Sequence, residues 1–91
     1  MLREGRQIFF SGNVQGVGFR WKTRSISSGF KVYGYVKNLS DGRVELYCEG
    51  DKKELVAFLQ ELKSEMRYNI KDEEIKITDF SGRYSSFSIT V

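Results

Sequence analysis

The sequence predicts an α+β sandwich with two helices on one face of an antiparallel sheet. Three observations lead there. The apolar pattern changes period in the order β-α-β-β-α-β with one short strand more at the end, and one helix carries a long apolar stripe. Glycine alone punctuates a chain that contains no proline. A length of 91 residues suffices for one core and no second one, so residues 1–91 are expected to form a single domain.

Gln7 to Ser11 reads as a short strand, with Ile8 and Phe10 on one face and Phe9 on the other, closed by Gly12. A glycine loop follows, and Phe19 to Ser28 then forms a helix that stops at Gly29. Its serines and Thr23 make that helix intrinsically weak, so packing must hold it. Val32 to Lys37 is rich in β-branched and aromatic residues, the mark of a strand. Leu39-Ser40-Asp41-Gly42 supplies turn chemistry, and Arg43 to Glu49 alternates Val44, Leu46 and Cys48 against Arg43, Glu45, Tyr47 and Glu49, which makes a hairpin. Asp51 with Glu54 resembles a capping box. The helix it opens sets Leu55, Val56, Phe58, Leu59, Leu62 and Met66 on one stripe. Ile75 and Ile77 alternate with polar neighbours, as do Phe87, Ile89 and Val91 at the end, and the Ser81-Gly82-Arg83 turn separates the two stretches.

That order is the split βαβ, ferredoxin-like sandwich: βαββαβ plus a short C-terminal strand. A strand, a crossover helix and a second strand of one sheet run parallel, so the loops leaving the first and second strands emerge at the same edge. Arg20, in the first turn of the helix, and Asn38, at the end of the second strand, thereby become neighbours.

Composition narrows the chemistry. With no histidine and the single cysteine Cys48, the common zinc and iron ligand sets are missing, so no metal and no cofactor are expected. The start, Met1-Leu2-Arg3-Glu4-Gly5, lacks a signal-peptide apolar region and no run is long enough to span a bilayer; a cytoplasmic protein without membrane contact is the expectation. A net charge of +3 suits a small anion better than nucleic acid.

The stretch GNVQGVGFRWKT carries the functional signal. Glycines 12, 16 and 18 permit positive φ and close approach of a ligand, so the amide N–H groups from Gln15 through Gly16, Val17, Gly18 and Phe19 to Arg20 can converge as an anion nest. They open a helix whose N-terminus carries partial positive charge, and the Arg20 guanidinium can hold two phosphate oxygens. Such a loop can also serve only as a tight turn. Its spacing fits neither GxxxxGK[ST] nor GxGxxG, so a nucleotide-type loop is not supported.

The residues Gly12 to Arg20 resemble the first signature of the acylphosphatases, G-x-V-Q-G-V-x-F-R, at every specified position. Gly34-Tyr35-Val36-Lys37-Asn38, followed by Gly42, Val44 and Gly50, is similar to the second, and Tyr84 to Ile89 looks like the closing Y-x-x-F-x-I. The resemblance covers essentially the whole chain. It departs at Phe10, where an aliphatic residue is usual, at Tyr35, where tryptophan is frequent, and at Thr90, where a basic residue is common. These positions bear on edge-strand packing and on the organic part of a substrate. The resemblance implies hydrolysis of an acyl phosphate to a carboxylate and inorganic phosphate, the latter both product and inhibitor, by a protein expected to be a monomer. It also implies that Arg20 and the loop amides bind the phosphoryl group while Asn38 positions the attacking water. Phosphoryl transfer to water needs positioning and charge stabilisation more than covalent help, so the missing histidine is no obstacle.

Other residues are weaker candidates. A cysteine-phosphatase loop would need an arginine where Glu54 stands, and alternation puts Cys48 on the inward face as an inert thiol. Asp72-Glu73-Glu74 reads as a solvated charge run in a loop. Trp21 and Tyr33 are candidates for contact with an acyl group, core or groove packing being the alternative for each. The rival to an enzyme is an anion- or RNA-binding module without turnover. Tyr33-Gly34-Tyr35-Val36 with Lys31 faintly matches a base-stacking strand, but the fit stops at Asn38.

Overall fold

The computed structural model describes residues 2–91; Met1, the first residue of the start considered above, lies outside them. Five strands and two helices follow in the order β1 (Arg3–Gly12), α1 (Phe19–Ser27), β2 (Val32–Asn38), β3 (Val44–Asp51), α2 (Lys52–Glu65), β4 (Ile70–Thr78) and β5 (Phe87–Ile89). The strands form one sheet in the order β4-β1-β3-β2-β5. Three of the four pairings are antiparallel, but β5 pairs with β2 in parallel, so the sheet is mixed and not wholly antiparallel as expected. The cause is the connection after β4, which crosses from one edge of the sheet to the other before the chain turns back along β2.

Period-two alternation sorts the sheet into two faces. Ile8 pairs with Leu46 and Leu46 with Val36, while Phe10 faces Val44 and Gly34 faces Cys48, so these residues share the face that the helices cover. There they meet Phe19 and Ile26 of α1 and Leu55, Phe58, Leu59 and Leu62 of α2, all in one buried cluster. Each such side chain withdrawn from water contributes about 1.5–3 kcal/mol, which holds the short, serine-rich α1 in place. Of the stripe expected on α2, Val56 alone is only half-buried.

The opposite face is not left to solvent. Glu45 and Glu49, set by alternation on the face away from Val44, Leu46 and Cys48, are buried at 7% and 0% exposure. The segment 79–86 passes over Glu49, and Tyr84 packs against Tyr35 and Tyr47 with ring centroids 6.0 and 5.3 Å away; Glu45 accepts from Gln7 Nε2 and the Tyr35 hydroxyl. Alternation reports which face a side chain takes, but not that a later segment will cover that face.

Local signals differ in smaller ways. Asp51 caps α2 through Lys53 N–H at 2.8 Å, but Glu54 does not close the box: its carboxylate accepts from Lys31 N–H at 2.7 Å and ties α2 to the entry of β2. Helix α1 ends at Ser27, and its C-cap Ser28 is still right-handed, without a left-handed glycine cap at Gly29. Asp72-Glu73-Glu74 lies within edge strand β4, not in a loop, and Lys63 sits 3.1 Å from Glu73.

Candidate active site

Residues 13–18 join the end of β1 to α1 over the same sheet edge at which β2 ends. Gly16 and Gly18 adopt φ of 76° and 78°, and Val17 between them does not have positive φ. Alternation of hand along successive residues turns neighbouring amides to one side, the geometry of an anion nest. A Cβ on either glycine would meet no atom within 4 Å, so their open side faces free space. Gly12 differs. Its φ is also positive, at 122°, but a Cβ there would come within 2.5 Å of the Asn69 carbonyl, so this glycine serves packing against the α2–β4 corner and not approach by a ligand.

Among the described residues, no protein acceptor takes the amide N–H groups of Gln15, Gly16, Val17, Gly18, Phe19 or Arg20; the first amide of the helix to be satisfied is Lys22, by the Gly18 carbonyl. Gly18 is the N-cap of α1 and supplies no side chain for these donors. Arg20, half-buried, makes no ion pair among the described residues. Six donors and a guanidinium therefore lie together without a protein acceptor.

A cavity of about 310 Å³ collects Gly16, Gly18, Phe19 and Arg20 with Asn38 from the end of β2. Arg20 and Asn38 thus meet as the parallel course of β1 and β2 predicts. Asn38 Oδ1 is buried and accepts no hydrogen bond from the described residues. A buried carbonyl without a donor costs about 1–3 kcal/mol, so its retention points to a partner that comes with the ligand or solvent.

The loop is pinned at both ends. Asn13 N–H donates to the Asn69 carbonyl at 2.9 Å, and Asn69 Nδ2 donates back to the Asn13 carbonyl at 3.0 Å. Gln15, considered above only for its amide, donates Nε2 to the Leu39 and Arg43 carbonyls at 2.8 and 2.9 Å. This clamp joins the loop to the turn that follows Asn38, and nothing in the local sequence announces it. Val14, 1% exposed, seats the loop in the core.

The weaker candidates separate cleanly. Burial pushes the Cys48 thiol up to about 12, and Cys48 lies in the core away from the cavity. Tyr33 lines a different concavity, of about 610 Å³, at the opposite end of β2 with Arg3, Lys31, Lys53 and Phe80. That larger hollow also carries Asp51 and Glu54, and their carboxylates offset its cations. Trp21 and Ile89, by contrast, line the cavity of Arg20 and Asn38. Among the described residues there is no group of three or more His, Cys, Asp or Glu that could hold a metal ion. No helix is long and apolar enough to cross a membrane.

A family model described as Acylphosphatase matches residues 6–89. An acylphosphatase of Archaeoglobus fulgidus is 42% identical over 84 residues, covering 91% of this chain and 93% of that relative. Another, from Borrelia garinii subsp. bavariensis, is 41% identical over 88 residues, covering 92% of this chain and 95% of the relative. The crystal structure of an acylphosphatase from Bacillus subtilis is similar with a TM-score of 0.88 at 31% identity, covering 97% of this chain and 99% of that one. Sequence and fold agree over nearly the full length compared, and the chain belongs to the acylphosphatase family.

Proposed function

We propose that Arg20 and the amides of residues 15–20 hold the phosphoryl group of an acyl phosphate while Asn38 positions the water that attacks it. The chain is a hydrolase that releases a carboxylate and inorganic phosphate from an acyl phosphate. The observation that carries the assignment of roles is the meeting, in one cavity, of donors without acceptors and an acceptor without a donor. A phosphoryl group supplies acceptors for the amides and the guanidinium, and a water supplies the donor for Asn38 Oδ1.

The chemistry then needs little else. Charge on the equatorial oxygens of a loose transition state is met by fixed donors that need no reorganisation, and a carboxylate leaves without a strong acid. An amide is no base near neutral pH, so the proton of the attacking water passes to an oxygen of the transferred phosphoryl group. Arg20 and the amides supply the positive charge that a metal provides elsewhere, and the reading calls for no cofactor. All these residues come from one chain, which suits a monomer, and a cytoplasmic setting fits the same reading. Inorganic phosphate, bound by the donors that held the substrate, acts as a competitive inhibitor.

The aromatic strand does not serve an RNA-binding alternative. Tyr35 is stacked on Tyr47 and covered by Tyr84, so it is no open platform for bases.

Phosphate release from acetyl phosphate and from benzoyl phosphate tests the reading, before and after exhaustive dialysis against EDTA. Turnover inhibited by inorganic phosphate and unchanged by chelation is expected. A folded protein that turns over neither compound, or one whose activity only added metal restores, overturns it.

A further inference from the structure

Trp21 exposes 67% of its surface on the first turn of α1, directly after Arg20. An indole left in water forgoes a large burial gain. Other apolar side chains are exposed as well, Tyr68 at 86% and Ile77 at 64% among them, but of the exposed large hydrophobics described only Trp21 lines the cavity of Arg20 and Asn38. The same cavity takes in Ile89, half-buried on β5. The parallel pairing of β5 with β2, Ile89 opposite Val36, carries that side chain toward the edge where Asn38 ends its strand. The polar donors of the site, Arg20 and the loop amides, are accounted for by the phosphoryl group. Trp21 and Ile89 have no part in that chemistry, and they offer an apolar surface beside it.

We propose that Trp21, with Ile89, is the acyl-group subsite, and that the chain favours acyl phosphates with a flat aromatic or extended apolar acyl group over acetyl phosphate. The inference rests on the hydrolytic reading above. An indole face and a branched aliphatic side chain contact an aryl ring by stacking and apolar burial, whereas an acetyl group is too small to cover either. Exposure fits the role, because the indole surface is withdrawn from water only when such a substrate arrives. Discrimination is then a difference in contact area beyond the phosphoryl group, which both substrates share.

Two measurements test it. In steady-state kinetics, Trp21→Ala lowers the ratio of kcat/KM for benzoyl phosphate over acetyl phosphate about tenfold, equivalent to about 1.4 kcal/mol, chiefly through the KM for benzoyl phosphate. Trp21→Phe, which keeps an aromatic face, retains most of the ratio. An equal loss on both substrates, or an unchanged ratio, overturns the proposal. Trp21 is also the sole tryptophan of the chain, so its emission reports on the subsite without turnover. Titration with benzylphosphonate, which cannot be hydrolysed, shifts the emission to shorter wavelength, and methylphosphonate and inorganic phosphate do not. The same response to all three probes, or none at concentrations that inhibit, counts against the subsite. If the wild-type chain turns over neither acyl phosphate, the hydrolytic reading falls, and the emission titration decides the subsite independently.

Discussion

Arg20 and Asn38 sit in one cavity yet offer opposite halves of a hydrogen bond, a guanidinium that only donates and a buried carbonyl oxygen that waits for a donor. Their kinetic signatures should differ accordingly. Arg20 holds phosphate in the ground state and in the transition state, so Arg20→Gln weakens competitive inhibition by inorganic phosphate and also lowers turnover. Asn38 is assigned to the water alone. Asn38→Ala leaves phosphate inhibition nearly unchanged while kcat drops by roughly a hundredfold or more, the scale of a lost positioning contact. Circular dichroism should match the wild type for both variants, since neither side chain belongs to the hydrophobic cluster. The telling failure is Asn38→Ala that loses phosphate inhibition but keeps its rate at saturating substrate, because Asn38 would then be a phosphate ligand.

The loop between β1 and α1 works as an element only because other elements fix it. Its Asn69 contacts come from the α2–β4 corner, and its Gln15 contacts come from the β2–β3 turn. Gln15→Ala leaves the Leu39 and Arg43 carbonyls without that donor and lets the nest move relative to Asn38. A stability loss of about 1 kcal/mol is expected in denaturant titration, with a fall in turnover of roughly tenfold from misplacement. Gln15→Glu is worse, since it presents an acceptor to two carbonyls. Full turnover in a destabilised Gln15→Ala would reduce the clamp to a structural device. Much of this element was legible in the sequence: glycine spacing foretold the turn, Gly16 and Gly18 did take positive φ, and strand order foretold that Arg20 and Asn38 would meet. The clamp was not, because a glutamine in a loop has no local pattern that names carbonyls 24 and 28 residues away. The role of Gly12 was missed for the same reason, its constraint being the backbone of Asn69 across the molecule.

At the scale of the whole molecule, helices close one face of the sheet and a single connection closes part of the other, linking edge strand β4 to edge strand β5. The fastening is Glu49. Its Oε1 accepts from the Tyr47 hydroxyl at 2.7 Å, the Ser81 hydroxyl at 2.6 Å and Ser81 N–H at 3.1 Å, and Oε2 accepts from Gly82 N–H at 2.9 Å. No periodicity shows this, because alternation assigned Glu49 correctly to the outer face while the covering segment lies some thirty residues further on. Burial works against ionisation of this carboxyl, but the hydrogen bonds from Ser81, Tyr47 and the two backbone amides prevail and hold it below its ordinary value of 4.5. A carboxyl depressed on folding adds stability that is complete above the unfolded value and is lost as pH falls through the folded one. Glu49→Gln is close in size, yet its NH2 must face either Ser81 N–H or Gly82 N–H whichever way the amide turns. The cost is about 2 kcal/mol at neutral pH. Unfolding free energies measured from pH 7 downward should therefore show the wild type losing its advantage over Glu49→Gln below pH 4.5, with turnover at neutral pH retained in the variant since Glu49 lies on the face away from the cavity. A gap that stays constant as pH falls from 7 to well below 4.5 would show that the carboxylate is not what fastens the connection to the sheet.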